Sequence, residues 1–235
     1  MIIFNKKRIL FINFIIFFSI LFCSFNIIFP LNNVFVSSVP VANHTVILDA
    51  GHGYPDGGAV STNGIIESEI NLKIVQKLQN FLEASNCTVI LTRSDENGIY
   101  KDSNFSIREK KISDMRNRAN IANNSNAEIF VSIHMNKLPQ AQYSGWQSFY
   151  KNEDEQSKFL AKCIQNNLNN FIDKNNHRQI QSINNIFLTK NVKIPLVIIE
   201  CGFLSNTAEA NLLNTEKYQD LLAWSIYTGI LDYFM

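Results

Sequence analysis

The stretch TVILDAGHGYPDGGAVSTNGIIESEINLKIVQKLQNFLEASNCTVILTR, residues 45–93, contains the pattern that decides the fold. Residues 45–50 form an apolar run that ends in a glycine-rich turn. In residues 67–85, apolar side chains then recur at the three- and four-residue spacing of an amphipathic helix. A second apolar run follows at residues 87–93. The stretch therefore predicts a strand, a helix and a second strand, which is the repeating unit of a parallel sheet.

The same alternation continues along the chain. It predicts further strands at residues 128–134, 145–150, 185–189 and 196–201, and helices at residues 113–125, 153–172 and 218–234. Residues 94–112 are polar and charged, so we expect a long exposed loop there, with Ser113 as the cap of the next helix. The fold class expected is a single α/β domain with a mostly parallel or mixed central sheet of about five or six strands, covered by helices on both faces.

The amino-terminal residues have a different character. Lys6, Lys7 and Arg8 precede an apolar run, residues 9–30, that contains no charge. About 20 such residues can span a bilayer as a helix, and the basic cluster should stay on the cytoplasmic side. The alternative is a cleaved signal peptide. We expect a membrane anchor or signal peptide at residues 1–30, a linker at residues 31–43 and one exported domain, membrane-anchored or secreted, at residues 44–235.

The net charge of the chain argues against one class of function, nucleic-acid binding. The formal net charge of the 235 residues is +1. A nucleic-acid-binding surface needs clustered basic residues, so we expect no nucleic-acid partner. A nearly neutral protein remains compatible with a carbohydrate–peptide polymer as substrate.

Four residues of metal-binding or acid–base type stand at strand ends or helix starts. His52 lies in the turn after the first strand, Glu67 begins a helix, His134 ends the strand EIFVSIH, and Glu200 interrupts the apolar strand LVIIEC. Ligands of α/β sheets bind at the carboxyl ends of the strands. Each residue alone also has a structural explanation, such as a turn histidine, a glutamate favoured by the helix dipole or a buried ion pair.

Together the four residues suggest a zinc site. A buried carboxylate such as Glu200 is costly unless it is paired, hydrogen-bonded or beside a metal. A catalytic zinc takes three protein ligands and leaves one position for water, while a spare carboxylate acts as general base. Of the four histidines, His44 adjoins the linker and His177 lies in a polar loop, which leaves His52 and His134 as the ligand pair. No short zinc signature is matched, so the structural explanations stay open on spacing alone.

The chain resembles the zinc amidase family known as amidase type 3, which hydrolyses N-acetylmuramoyl-L-alanine bonds. The resemblance rests on six motifs in the family's order: LDAGHGYPDGGAV, NGIIESEINL, LTRSD, RNRANIAN, AEIFVSIHMN and IPLVIIECGFLSN. The tail YQDLLAWSIYTGILDYF also fits, so the similarity covers almost the whole predicted exported domain.

The resemblance implies roles for individual residues. By position, His52, Glu67 and His134 match the family's Zn²⁺ ligands, and Glu200 matches its catalytic glutamate. The family pattern G-x-x-E places the ligand at Glu67, not at its neighbour Glu69. At three further positions that recur in the family, the resemblance implies no role beyond support of the site: Arg118, Asn123 and Asn136. Two residues depart from the family pattern without removing a ligand: Ser68 stands where a lysine is frequent, and Ala50 where a proline is frequent.

The expected function follows from the resemblance. It implies a zinc-dependent N-acetylmuramoyl-L-alanine amidase that acts on peptidoglycan outside the cytoplasm. The small size and the membrane-proximal start resemble the germination-specific, CwlD-like branch, which acts on the spore cortex between mother cell and forespore, with control by expression or by a regulatory protein partner. Two alternatives stay open: a zinc peptidase that cuts the stem peptide, and a non-catalytic cell-wall-binding protein.

Overall fold

The computed structural model describes residue 11, residues 13–19 and residues 39–235. The chain separates into two compact units, Met1–Ser38 and Val39–Met235. Residues 13–19 are helical. None of the helices in the described part of the chain combines the length and the apolar composition needed to cross a bilayer. The predicted anchor or signal peptide at residues 1–30 lies largely outside the described residues, as does the linker up to residue 38.

The unit Val39–Met235 contains a six-stranded sheet in the order β2-β1-β3-β6-β4-β5. Its strands are β1 (Thr45–Ala50), β2 (Thr88–Leu91), β3 (Ile129–Asn136), β4 (Gln147–Lys151), β5 (Gln181–Ile183) and β6 (Leu196–Phe203). Strand β1 runs parallel to β2 and β3, and β3 runs parallel to β6. Strand β4 is antiparallel to β6. The expectation of a mixed α/β sheet is confirmed.

Six helices accompany the sheet within residues 39–235. They are α1 (Glu67–Ala84), α2 (Ile107–Asn124), α3 (Glu155–Phe171), α4 (Phe187–Asn191), α5 (Thr207–Leu213) and α6 (Glu216–Phe234). Side chains of α1, α3 and α6 pack into the larger of two hydrophobic clusters. A smaller cluster combines residues of α2 and α4 with Phe130 and Ile198. One face of the sheet is therefore covered by the three long helices of the larger cluster, and the other face only by α2 and the short α4. The second, thinly covered face leaves room for a site.

The predicted start of the second helix is wrong. Helix α2 begins at Ile107, not at residue 113, so residues 107–112 are helical instead of loop. Ser106 caps it: its hydroxyl accepts from the Glu109 backbone N–H, and the Glu109 carboxylate accepts from the Ser106 N–H. This capping box begins a helix whose first two turns are mostly charged. Because these turns show no apolar period, the pattern reads as a loop.

Three short elements also differ from the prediction. Residues 185–189 do not form a strand; helix α4 covers Phe187–Asn191, and the strand β5 lies earlier, at Gln181–Ile183. Helix α5, capped by Asn206, was not predicted. Segments of three to seven residues are too short to show a clear hydrophobic period, so packing decides their conformation. In α4 the deciding contact is the burial of Leu188 in the smaller cluster.

Candidate metal centre

The four candidate residues meet at the carboxyl edge of the sheet. His52 follows β1, and Glu67 is the first residue of α1. His134 and Glu200 are direct partners on the parallel strands β3 and β6. Since side chains alternate along a strand, His134 lies on the same face as Phe130, and Glu200 on the same face as Ile198. The candidate centre therefore opens on the thinly covered face of the sheet.

One ligand-type atom from each of His52, Glu67 and His134 lies within 4.8 Å of the others. Glu67 Oε1 is 3.0 Å from His134 Nδ1 and 3.3 Å from His52 Nε2. The two imidazole rings are 5.1 Å apart at an angle of 78°. Two nitrogens and one carboxylate oxygen form a donor set of the kind found in catalytic zinc sites. The three residues present thus fit Zn²⁺ in number and in chemistry.

Glycines allow the three candidate ligands to approach each other. A Cβ at Gly51 would overlap the His134 ring, and one at Gly58 would lie 2.5 Å from Glu67 Oε2. Gly58 also has a φ of +70°, which side chains rarely adopt. His52 itself has a φ of 62°. The glycine-rich turn therefore lets the backbone place His52 against Glu67.

The charged groups around this cluster favour the binding of a cation. Burial lowers the pKa of His52, but hydrogen bonds and charge from Asp56 and Glu67 outweigh burial and raise it to about 9. Burial raises the pKa of Glu67, but His134 and His52 hold it well below its ordinary range. At neutral pH the metal-free cluster therefore keeps a proton on His52 against an ionised Glu67, and a divalent cation would replace that proton.

Glu200 differs from the three candidate ligands because it lacks hydrogen-bond partners among the described residues. Its Oε2 atom is buried and has no hydrogen-bond partner among the described residues. Burial is the main cause that raises the pKa of Glu200, with Glu67 adding to it and the histidines opposing it. A buried carboxylate with an unsatisfied oxygen is uncommon as a purely structural group. Beside the ligand cluster, it is placed to accept and release a proton.

Comparison with known proteins identifies the family of this chain. A sequence model of the family described as N-acetylmuramoyl-L-alanine amidase matches residues 46–232. The chain belongs to the N-acetylmuramoyl-L-alanine amidase family. This membership confirms the resemblance expected from the six motifs and shows that the chain has the fold of a hydrolase family.

Individual relatives cover the same region. The germination-specific N-acetylmuramoyl-L-alanine amidase of Bacillus subtilis strain 168 is 36% identical over 230 residues, which span 97% of this chain and 96% of that protein. The structure of the CwlD amidase from Clostridioides difficile in complex with the GerS lipoprotein is 47% identical, with a TM-score of 0.79, and covers 81% of this chain and 98% of that chain. The N-acetylmuramoyl-L-alanine amidase from Clostridium difficile 630 is 32% identical with a TM-score of 0.71, and covers 82% and 97%.

Two buried arginines fix the turn that carries His52 in this amidase-family chain. Arg118 donates to the carbonyls of Ala50, at 2.8 Å, and of His52. Arg93 donates to the carbonyls of Ala50, at 2.8 Å, and of Gly51, at 3.1 Å. Three consecutive carbonyls therefore accept from guanidinium groups that are 1% and 3% exposed. Arg118 has the supporting position that the resemblance implied.

Arg118 is in turn neutralised by Asp49, which is fully buried within β1. The Arg118 Nη1 atom is 2.5 Å from Asp49 Oδ1, and Ser132 and Thr92 donate hydroxyl hydrogens to the same carboxylate at 2.6 Å. Burial raises the pKa of Asp49, but Arg118 and the two hydroxyls outweigh it and hold the pKa below its ordinary value. The Asp49–Arg118 pair thus connects the buried strand β1 to the turn that carries His52.

We expect Arg118→Met to lower the free energy of unfolding by about 3–5 kcal/mol at pH 7, because Asp49 would be left buried and unpaired. Since the pKa of Asp49 is lowered by folding, the pair stabilises the protein above the unfolded carboxyl pKa of about 3.9 and loses this effect as pH falls through the lower folded value. Urea unfolding at pH 7 measures the cost. The double variant Asp49→Asn/Arg118→Met should recover part of it, and a cost below about 1 kcal/mol in Arg118→Met would contradict the role assigned to the pair.

Two contacts at the site were not predicted. Asp56 Oδ2 lies 3.1 Å from His52 Nδ1, which directs the other ring nitrogen, Nε2, toward Glu67. Asn71 donates to Gly51 O at 3.1 Å and lies 3.4 Å from Glu67 Oε1. The signal for Asp56 was its place four residues after His52 in a tight turn.

The two asparagines named with Arg118 make hydrogen bonds outside the candidate ligand cluster. The Asn123 side chain bonds Asn191 O at 2.7 Å and Lys193 N at 2.9 Å, so it fastens the end of α2 to the segment after α4. The carbonyl of Asn136 accepts from Leu204 N at 2.8 Å. Neither side chain hydrogen-bonds any of the three ligand residues.

Proposed function

We propose that this protein is a zinc-dependent amidase that hydrolyses the bond between N-acetylmuramic acid and L-alanine in peptidoglycan. Family membership supports the reaction. The observation that carries the zinc proposal is the cluster of His52, Glu67 and His134, with the unpartnered Glu200 oxygen on the neighbouring strand. We assign the first three as metal ligands and Glu200 as the general base.

The protein's residues supply a consistent mechanism. Bound Zn²⁺ would provide a Lewis acid for the scissile carbonyl and would lower the pKa of water. Glu200 accepts a proton from the attacking water at its free Oε2 atom and then delivers it to the nitrogen of L-alanine as the C–N bond breaks. Burial raises the pKa of the Glu200 carboxyl, so this group holds the transferred proton more readily than an exposed carboxylate would. The products are the lactyl carboxylate of the glycan and a peptide with a free amino terminus.

Asp56 contributes by orienting His52. Its hydrogen bond to Nδ1 fixes the ring, so that Nε2 faces the cluster. Carboxylates behind a metal-ligating histidine commonly serve this purpose and raise the basicity of the ligand. Asp56 is itself held by Lys111 Nζ at 2.9 Å and by the Gly58 N–H at 3.3 Å.

The setting proposed is the spore cortex, outside the cytoplasmic membrane. Support comes from the germination-specific relative of B. subtilis, which matches this chain over nearly its full length. The C. difficile CwlD amidase was solved with the GerS lipoprotein, and by analogy we propose a regulatory protein partner for this chain. We retain residues 1–30 as an anchor or signal peptide and residues 44–235 as the catalytic domain.

Mass spectrometry of digested peptidoglycan tests the proposal. The full chain, purified in detergent and loaded with Zn²⁺, should release peptides with free L-alanine amino termini and leave the glycan strands intact. Chelation of the metal should abolish this release, and re-addition of Zn²⁺ should restore it. Cuts within the stem peptide would shift the assignment to the zinc peptidase alternative. Binding without any cut at saturating Zn²⁺ would contradict the amidase proposal.

A further inference from the structure

We propose that Lys110 is a specificity residue that binds a free carboxylate of the stem peptide, namely the α-carboxylate of the residue after L-alanine. The inference rests on the proposed amidase function, because it places the peptide side of the substrate in the cavity beside the metal centre. It concerns which peptides are cut fastest, not whether the bond can be cut.

A cavity of about 320 Å³ adjoins the centre and is bordered by His52, His134 and Glu200. One face of α2 forms its side. The lining positions on this helix are 110, 111, 114, 115 and 118, a spacing that repeats every three to four residues. At a rise of about 1.5 Å per residue, residues 110 and 118 are roughly 12 Å apart along the helix axis. Arg118 contacts the His52 turn, and Lys110 lies about two helical turns away from that contact along α2.

The charges along this face leave Lys110 without a counter-ion. Lys111 Nζ lies 2.9 Å from Asp56, and Arg118 is paired with Asp49 and with Asp114, at 2.5 and 2.6 Å. No carboxylate lies within 4.0 Å of Lys110 Nζ among the described residues. Instead its ammonium group sits 4.9 Å from the centre of the Tyr100 ring, which also lines the cavity. The aromatic face restricts the lysine without neutralising it.

The rest of the cavity lining is largely apolar. It includes Ile186, Leu188 and Ile198, which pack with Met115 of α2 in and around the smaller hydrophobic cluster. Apolar walls exclude water, so they strengthen the attraction between a cation and a carboxylate. The ligand that fits this cavity carries short alkyl groups and one anion.

The stem peptide has that chemistry. L-alanine contributes a methyl group, and the following D-glutamate is joined to the peptide through its side chain, which leaves its α-carboxylate free. Two residues in extended form span about 7 Å, so this carboxylate reaches well into the cavity when the scissile bond is at the metal centre. A charge-assisted bond to the Lys110 ammonium would then select peptides with the free acid over peptides with an amide at this position.

A comparison of two substrates tests the inference. The full-length protein, loaded with Zn²⁺, is assayed on glycan strands whose second stem residue is either D-glutamate or D-isoglutamine, and kcat/KM is measured for each. Lys110→Met should lower kcat/KM about tenfold on the acid and less than twofold on the amide. Lys110→Arg should keep most of the preference. Lys101→Met is the matched control, because Lys101 is exposed and lines an outer groove of α2 instead of the cavity; its kinetics should match wild type on both substrates.

The outcomes are distinct. Suppose that Lys110→Met, with unchanged Tm and zinc content, lowers kcat/KM equally on both substrates or on neither. Lys110 then does not bind this carboxylate and the inference is wrong, while the amidase function stands. If wild type cuts neither substrate at the muramoyl bond, the proposed function fails and this inference fails with it.

Discussion

Replacing Glu200 by glutamine is expected to lower kcat by about 10²–10⁴-fold, the usual contribution of a positioned acid–base group. Glutamine has nearly the same shape but cannot take a proton from water. Because Glu200 Oε2 has no hydrogen-bond partner in the described part of the protein, the substitution removes no structural contact at that atom. Burial raises the pKa of this carboxyl, so a neutral amide should leave the free energy of unfolding unchanged or increase it. Steady-state kinetics on glycan strands, with zinc content measured by elemental analysis, checks both parts.

Glu209→Gln is the matched control for this substitution. Glu209 is also buried with a raised pKa, but its two oxygens accept from the backbone N–H groups of Gly145, at 2.7 Å, and Phe203, at 2.8 Å. The control should therefore lose stability and keep its kcat, which is the reverse of the pattern expected for Glu200→Gln. A Glu200→Gln variant with kcat within tenfold of wild type would show that another group is the base.

Replacing His52 by alanine is expected to weaken Zn²⁺ binding by more than about 100-fold. Loss of a residue that only orients a ligand costs about 10–100-fold in affinity, and loss of the ligand itself should exceed that range. Competition with a zinc-sensitive dye measures the affinity directly, without relying on activity. His44→Ala is the control: His44 pairs with Glu128 at 2.9 Å and stacks on Phe234, remote from the cluster along β1. Equal zinc affinity in His52→Ala and wild type would remove His52 from the ligand set.

The same assay distinguishes the neighbouring glutamates of α1. Glu67 is 3% exposed and contacts both histidines, whereas Glu69 is exposed. Glu67→Gln should lose zinc affinity and Glu69→Gln should not. The opposite result would mean that the family pattern G-x-x-E had been aligned to the wrong residue.

The sequence predicted the sheet because its central strands are continuous apolar runs. Strands β1, β3 and β6 are buried on both faces, so their composition alone distinguishes them from loops. Glu200 was recognisable for the same reason, since a carboxylate within such a run needs a partner or a function. The proximity of His52, Glu67 and His134 followed from the rule that parallel strands end at one edge.

The remaining parts of the site depend on contacts that no local pattern records. Arg118 reaches Asp49 across 69 residues, and Arg93 reaches Ala50 across 43. These contacts are set by the register of β1 with its neighbours and by the position of α2. Lys110 lies in a segment that the sequence pattern predicts to be a loop. Its place on the cavity face of α2 depends on the start of that helix at Ile107, which the pattern does not indicate.

The stacking of His44 on Phe234, with ring centres 4.0 Å apart, brings the first residues of the domain next to its last helix. Both ends therefore lie at the amino edge of the sheet, and β1, at about 3.3 Å per residue, separates that edge from the His52 turn by roughly 20 Å. Neighbouring ends of this kind tolerate a joining loop, so a circular permutant opened in an exposed loop should still fold. Immobilisation on a bead through the carboxyl terminus would likewise leave the catalytic edge facing outward, toward a substrate that is an insoluble solid and cannot diffuse to the enzyme.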